Sequence, residues 1–410
     1  MSSNKKTTAT KEDGKPTLVP KLRFPEFRND GEWITEALGQ LANYENGKAY
    51  EQDITESGKY VVVNSRFIST DGAVLKYTNA EYLVAEAGDV LMVLSDLPKG
   101  KALAKCYFVE ANNRYAVNQR VCRLKPKKID GKFLYYALNR HPRLLAFDDG
   151  LNQTHLSKGG VTECPLCVPR DKDEQNKIAK CLSSVDKVIA AQAHKVDVLK
   201  THKKGLMQQL FPREGETQPR LRFPEFQKDG EWEVKPLGKV AENLDNQRVP
   251  ITSTNRKAGD VPYYGASGIV DYVEGFIFDE DLLCVSEDGA NLRARTYPIA
   301  FAISGKTWVN NHAHVLRFEH ACTQKFVELY LNSIKLDDFI AGMAQPKLNK
   351  AMLDRIPIPH PRVPEQERIA SCLGCLDDLI AAETQKLEAL KLHKTGLMQQ
   401  LFPLIEDIES

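Results

Sequence analysis

EQNKIAKCLSSVDKVIAAQAHKVDVLKTHKKGLMQQL, residues 174–210, decides how the rest of the chain is read, because it returns at 365–401 as EQERIASCLGCLDDLIAAETQKLEALKLHKTGLMQQL. In the first copy, apolar side chains stand at Ile178, Leu182, Val185, Ile189, Val196, Leu199, Leu206 and Leu210. Moved by 191 residues, the same ladder is Ile369, Leu373, Leu376, Ile380, Leu387, Leu390, Leu397 and Leu401. Spacings that alternate between four and three residues make a heptad seam, which buries a narrow stripe against another helix. The same two rungs turn polar in both copies, Gln192 with Lys203 and Glu383 with Lys394. Polar rungs at matched places fix register at some cost in stability. Two such seams in one chain most simply bury each other. From Glu174 to Lys204 the helix is about 45 Å long at 1.5 Å per residue. Gly205 weakens it locally, yet Leu206 and Leu210 stay in phase.

The repeat extends outward from the helices. Pro20-Lys-Leu-Arg-Phe-Pro-Glu-Phe27, Asp30-Gly-Glu-Trp33 and Leu38-Gly39 return as Pro219-Arg-Leu-Arg-Phe-Pro-Glu-Phe226, Asp229-Gly-Glu-Trp232 and Leu237-Gly238. The helix ends, Gly205 to Pro212 and Gly396 to Pro403, are identical. The chain is thus a tandem duplication whose unit reads docking motif, globular region, long helix. An antiparallel helix pair sets the globular regions at opposite ends, about an approximate two-fold axis. Each docking motif then falls near the far end of the other unit's helix. The expected division is a disordered leader (1–19), a first globular domain (20–168), a first long helix (169–212), a linker and second globular domain (213–361), a second long helix (362–403) and a tail (404–410).

Short β-rich runs punctuated by Gly and Pro fill the globular regions. Strands are expected at 60–64, 89–95, 102–109 and 117–124, and at 261–264, 282–286, 297–303 and 314–318. A helical segment follows each set, at 132–140 and 323–334. The halves then fall back into step: Phe147-x-x-Gly150-x-x-Gln153-x-x-Leu156 matches Phe339-x-x-Gly342-x-x-Gln345-x-x-Leu348. A shared frame around dissimilar loops suits inserts that read two different things. Proline-rich stretches at 165–169 and 357–364 lead into the long helices, where proline is tolerated at the first turn.

With 410 residues, 42% hydrophobic and 27% charged, the chain has the composition of a globular protein of two or three domains. No apolar run approaches the roughly 20 residues of a membrane span, and residues 1–17 lack the apolar core of a signal peptide. A cytoplasmic protein with reduced thiols is the expectation. Cys164–Cys167 and Cys372–Cys375 have Cys-x-x-Cys spacing, but Cys164 aligns with Ile356, and the second pair aligns with Cys181 and Ser184. A four-ligand metal site fails that comparison, so no metal is expected.

Net charge is +1, so any nucleic-acid binding must come from local patches or from a partner. Neither a phosphate loop nor a methyltransferase's Pro-Pro-aromatic and Gly-rich turns are present. His312 and His314 align with Arg120 and Cys122, which leaves no shared acid–base or metal chemistry there. Glu287-Asp288-Gly289-Ala290-Asn291 reads as a solvated turn more readily than as a carboxylate centre. Arg293 and Arg295 beyond it have the chemistry to reach phosphates or guanine.

Glu-Gln-x-x-Ile-Ala-x-x-Leu leading to Gly-Leu-Met-Gln-Gln-Leu-Phe, twice, with Leu-Arg-Phe-Pro-Glu-Phe and Glu-Trp…Leu-Gly before each globular region, resembles the specificity subunits of Type I restriction–modification enzymes. The resemblance covers nearly the whole chain after the leader. It implies an α+β protein: two α/β target-recognition domains separated by a pair of long antiparallel helices, a coiled-coil spacer with pseudo-two-fold tandem symmetry. It implies that each recognition domain reads one half of a bipartite, asymmetric site in double-stranded DNA. It further implies two docked modification (methyltransferase) subunits and motor-nuclease restriction subunits, with no membrane. S-adenosylmethionine, ATP and Mg belong to those partners, and this chain has neither cofactor nor catalytic centre of its own. A structural adaptor whose ends bind proteins, or a self-contained nuclease, are the competing classes.

Loop position after strands, together with polarity, selects candidate DNA contacts. In the first region these are Asn64, Ser65, Arg66, Lys99, Lys101, Asn118, Gln119, Arg120, Gln153, Thr154, His155 and Lys158. In the second they are Tyr264, Ser267, Asn291, Arg293, Arg295, Asn310, Asn311, His312, Gln345, Lys347 and Lys350. Two readers on one duplex face stand about a helical turn, roughly 34–36 Å, apart. Inserting a heptad preserves the seam's phase, so a heptad after Gln192 is expected to lengthen the gap in the recognised site. Methylation mapping that returned the original gap would count against this.

Overall fold

The computed structural model describes residues 18–97, 100–213 and 215–403. The expected leader (but for residues 18 and 19), Lys99 and the tail lie outside the described residues. Two compact units emerge, and neither is one half of the sequence. Among the described residues, the first joins those up to Ala191 with 387–403; the second is Gln192–Lys386. Each unit therefore owns one globular region, the first half of its own helix and the second half of the other.

Both long helices are unbroken, Lys172–Leu210 and Val363–Leu401. Gly205 and Gly396 are helical, with open space where a Cβ would stand. Within the first unit, Lys394 pairs with Asp186 at 2.6 Å, while Leu397 and Leu401 pack into the cluster of Ile178 and Leu182. Numbers rise on one helix as they fall on the other, so the pair is antiparallel. The second unit repeats this: Gln192 donates to Glu383 Oε2 at 2.6 Å, Lys203 pairs with Asp377, and Leu210 joins the cluster of Ile369 and Leu373. The seam residues Val185, Ile189, Val196, Leu199, Leu376, Ile380, Leu387 and Leu390 are all buried or half-buried. The polar rungs are thus satisfied, Gln192 and Glu383 by each other, which is what fixes register.

The docking motif explains why the Glu-Gln pair opens each helix. In the first unit, Arg23 forks onto Glu174 (Nε to Oε1 2.8 Å, Nη2 to Oε2 2.7 Å), and the Trp33 indole N–H donates to the same carboxylate at 3.2 Å. The neighbouring Leu22 N–H donates to the Gln400 carbonyl at 2.9 Å. The motif thereby ties the start of one helix to the end of the other, as the antiparallel reading expects. Gln175 binds the Asp130 N–H and the Pro169 carbonyl. In the second unit, Arg222 and Trp232 hold Glu365, Leu221 N–H donates to the Gln209 carbonyl, and Gln366 donates to the Pro361 carbonyl.

In the first unit, a four-stranded antiparallel sheet runs Ala42–Asn46, Val121–Pro126, Val90–Val93, Cys106–Phe108. Its Val-Leu-Met-Val strand is apolar throughout because both faces are covered, one by Phe133 and Leu134 of helix Gly131–Leu138, the other by a second sheet. That second sheet contains a parallel pair, Tyr60–Val63 with Tyr115–Val117. The second unit keeps the plan: Glu242–Asn243, Ala313–Arg317, Leu282–Ser286 and Ala300–Ile303 form one sheet, and Ala258–Gly265 lies parallel to Lys306–Val309 in the other. Helix Ala321–Ser333 takes the place of Gly131–Leu138.

One local expectation is corrected. The proline-rich stretches are not mere leads into helices but strands, Pro165–Val168 and Pro357–His360, paired antiparallel with Ile34–Ala37 and Glu233–Pro236. Each belongs to a two-stranded ribbon, and proline survives in a strand whose missing N–H needs no ladder partner.

Candidate nucleic-acid interface

Three loops meet in each unit on the same backbone scaffold. In the first, the Leu94 N–H donates to the Arg120 carbonyl (2.9 Å) and its carbonyl accepts from Leu156 N–H (2.8 Å). In the second, Glu287 stands in for Leu94: its N–H donates to the His312 carbonyl (2.9 Å) and its carbonyl accepts from Leu348 N–H (2.7 Å). Two further bonds bring in a fourth segment, Asn118 N–H to the Val63 carbonyl and Asn310 N–H to the Tyr264 carbonyl. Residues distant in sequence are therefore neighbours by main-chain geometry, whatever their side chains.

Most of the first unit's candidates come together here. Thr154 and His155 pair with Asp96 and Ser95, and the Gln153 amide donates to Ser95 Oγ at 2.9 Å. Asn118 and Gln119 both donate to Glu51 Oε1, at 3.3 and 3.0 Å. Glu51 was not singled out from sequence, and nothing near it announces the role. Asn64 caps the short helix Ser65–Ser69 through the Phe67 N–H, so its oxygen is already engaged. Arg66, Lys101, Gln119, Arg120, Gln153, His155 and Lys158 are exposed. The Asp96 carboxylate gathers the N–H groups of Leu97, Ala102 and Leu103, shaping the loop that carries Lys101. Beneath, a Cβ on Gly47 would stand 1.9 Å from the Asn118 carbonyl oxygen, so only glycine lets the loop seat.

In the second unit, Ser267, Arg293, Asn311, His312, Gln345, Lys347 and Lys350 are exposed, and Tyr264 is half-buried. Three candidates turn inward. Asn291 is buried and spends its amide on its own turn, accepting from Thr296 and donating to the Tyr297 carbonyl. Arg295, at φ 51°, folds inward to the Leu292 and Leu331 carbonyls, and burial lowers its pKa. Asn310 is also buried, its oxygen accepting from the His312 N–H.

Glu287 corrects the solvated-turn reading. It is 9% exposed and pairs with Arg248 at 2.7 Å and Lys347 at 3.2 Å. Behind it, buried His314 sits between Asp245 (2.6 Å at Nδ1) and the Leu348 carbonyl (2.7 Å at Nε2). Burial alone would raise both carboxyls. For Asp245 the His314 hydrogen bond, and for Glu287 the Arg248 hydrogen bond, lead the opposing influences, and both end below their ordinary values. Ligand atoms of Asp245, Glu287 and His314 lie within 4.8 Å of one another, as a metal site would have them. The Arg248 guanidinium already bridges the two carboxylates, at 2.7 and 3.4 Å, and supplies the compensating charge. The group is a structural ion cluster under the loop junction.

His312 does not join His314 as a pair: it is exposed and holds Asp288 at 2.7 Å. Cys164 is buried 3.5 Å from His141. Burial pushes that thiol up to about 11 and the imidazole down to about 4, so neither is an activated group.

Known proteins share this build. The model of the Type I restriction modification DNA specificity domain matches residues 30–201 and again 229–392. A putative Type I restriction enzyme specificity subunit of Haemophilus influenzae is 40% identical over 149 residues, 36% of this chain and 38% of that protein. The chain thus spans well under half of that relative, but 93% of a specificity subunit of Methanocaldococcus jannaschii, at 25% identity over 93% of this chain. Among solved structures, the S subunit from M. genitalium superposes with a TM-score of 0.63 at 17% identity, over 95% of this chain and 100% of that one. No helix among the described residues is long and apolar enough to cross a membrane. With two copies of the domain on a twice-built scaffold, the chain belongs to the Type I restriction–modification DNA specificity family, as a specificity subunit.

Proposed function

We propose that each globular region reads one half of a bipartite, asymmetric site in double-stranded DNA, and that the helix pair sets the gap and docks two modification subunits. Motor-nuclease subunits join that assembly in the cytoplasm, and S-adenosylmethionine, ATP and Mg are bound by the partners, the chain having no catalytic centre of its own. The observation that carries the reading is the repeated loop junction: one main-chain scaffold presents unlike side chains, Arg120 and His155 in one unit, His312 and Lys347 at the matching places in the other. Constant framework with variable polar tips is what two different base sequences demand, since base edges specify and phosphates only position. Each long helix, 39 residues and about 58 Å at 1.5 Å per residue, has length to spare for one turn of duplex. Because Gln192 bonds Glu383, a heptad added after one needs its match after the other.

Mapping methylated adenines in DNA from cells carrying the system tests the proposal. Exchanging the side chains of Gln153, Thr154, His155 and Lys158 for other polar ones, with Leu156 kept, is expected to change or erase one half of the methylated motif and leave the other half intact. An unchanged motif, or loss of both halves with the protein still folded, overturns it. A structural adaptor predicts no sequence-dependent gel shift even with the modification subunits supplied.

A further inference from the structure

The most exposed large apolar side chains among the described residues are Met343, at 91%, and Leu151, at 80%. Lone apolar residues on a surface are ordinary, but these two occupy the same place in the duplicated frame, one residue beyond Gly150 and Gly342. Both lie on loops of the junction just described. The segment that carries Leu151 runs on through His155, paired with Ser95, to Lys158 at the start of helix Lys158–Thr162; the one that carries Met343 runs on to Lys347, which bridges to Asp288, the partner of His312.

Each tip is held out by its own loop rather than left to collapse. Asp149 Oδ1 accepts the Leu151 and Asn152 N–H groups at 2.8 and 2.9 Å, and Asp148 Oδ1 accepts from Gly150 N–H and Thr154 Oγ1. In the other unit, Ala341 and Lys347 exchange reciprocal main-chain bonds of 2.8 Å. Gly342 turns there at φ 78°, where a Cβ would meet the Gln345 carbonyl at 2.5 Å. An apolar point held out by its own loop, on a junction that also carries Lys158 in one unit and Lys347 in the other, fits one kind of surface well. Phosphates take the rim, and stacked bases, the apolar interior of a duplex, take the point.

We propose that Leu151 and Met343 are wedges, each entering the base stack of the half-site read by its own unit and parting one base step. This rests on the DNA-reading role proposed above. It adds a residue type that hydrogen-bond readout does not call for. It also gives the chain a part in loosening a duplex from which a base is to be extruded for modification.

The test uses the full chain assembled with its modification subunits, and duplexes of the mapped site carrying 2-aminopurine at one position at a time, the methylated adenines excepted. With the native chain, fluorescence is expected to rise severalfold at one step in each half-site. Leu151→Ala removes the rise in one half only, Met343→Ala in the other, and Leu151→Met and Met343→Leu keep it. Thermal midpoints stay unchanged, since both side chains are exposed. A specific gel shift with no such rise, or a rise indifferent to both alanine variants, overturns the wedge and leaves the DNA reading standing. Absence of any specific shift with native chain overturns the DNA reading itself. Alanine variants that fail to assemble with modification subunits before DNA is added show that protein covers these tips, and that too overturns the wedge.

Discussion

Glu174→Ala is expected to destabilise the first unit by about 3–5 kcal/mol, the usual loss when one member of a buried ion pair is removed. The carboxylate is only 2% exposed at its side chain and accepts from both arms of Arg23 and from the Trp33 indole. Alanine leaves a guanidinium, 7% exposed, without its counter-charge. Arg23's other bonds, to the Asp30 and Gly31 carbonyls, offer no formal charge in return. Nearby Glu26 pairs with Lys177 at 2.9 Å, but both are about half exposed, and exposed pairs contribute little. Denaturant unfolding of the two variants side by side decides the matter. A Glu174→Ala midpoint no lower than that of Glu26→Ala would show that the Arg23–Glu174–Trp33 clamp is not what holds the helix to the globular region.

The second large effect is expected from Arg248→Met, which keeps the length of the side chain and deletes its charge. Asp245 and Glu287 then face each other with only His314 and Lys347 to oppose their repulsion. A loss of about 3–5 kcal/mol near neutral pH is expected for a buried cluster stripped of one partner. The sign with pH follows from the direction of the shifts. Both carboxyls lie below their ordinary values in the folded protein, so the native cluster stabilises above the carboxylate range and loses that contribution as pH falls through the lowered values. Without Arg248, Glu287 loses the hydrogen bond that leads its lowering while His314 still holds Asp245 down, so burial raises Glu287 and its protonation relieves the variant earlier. The gap in stability between native and variant chains should therefore narrow as pH drops through about 4 to 5. A gap independent of pH would mean that Arg248 acts by packing alone.

What could be read before folding followed from periodicity. The heptad ladder gave helix and partner, because seams repeat every few residues and need no distant information; the antiparallel sense came with the family resemblance. Leu282–Ser286 and 60–63 were legible as strands for the same reason, being short apolar runs between turns. Pro165–Val168 was not, since the prolines at its start and just beyond its end, Pro165 and Pro169, point away from a strand unless the sheet is known to be a two-stranded ribbon. The loop junction was legible as a set of polar loops, but Asn291 and Arg295 could not be told from Arg293 by residue type. Their inward course depends on carbonyls at Tyr297 and Leu331 left open by the fold. Likewise, Glu287 looks like part of a turn until Arg248 and Asp245, far away in sequence, are found against it.

The division into units that each borrow half of both helices bears on how the protein comes off the ribosome. Trp33 and Phe133 are synthesised early, yet the aromatic ring that closes their cluster is Phe402, with centroids 6.1 and 5.4 Å away. The first globular region must therefore wait, its apolar floor open, until all of the second has been translated. During that interval a nascent chain is at its most vulnerable to aggregation and proteolysis.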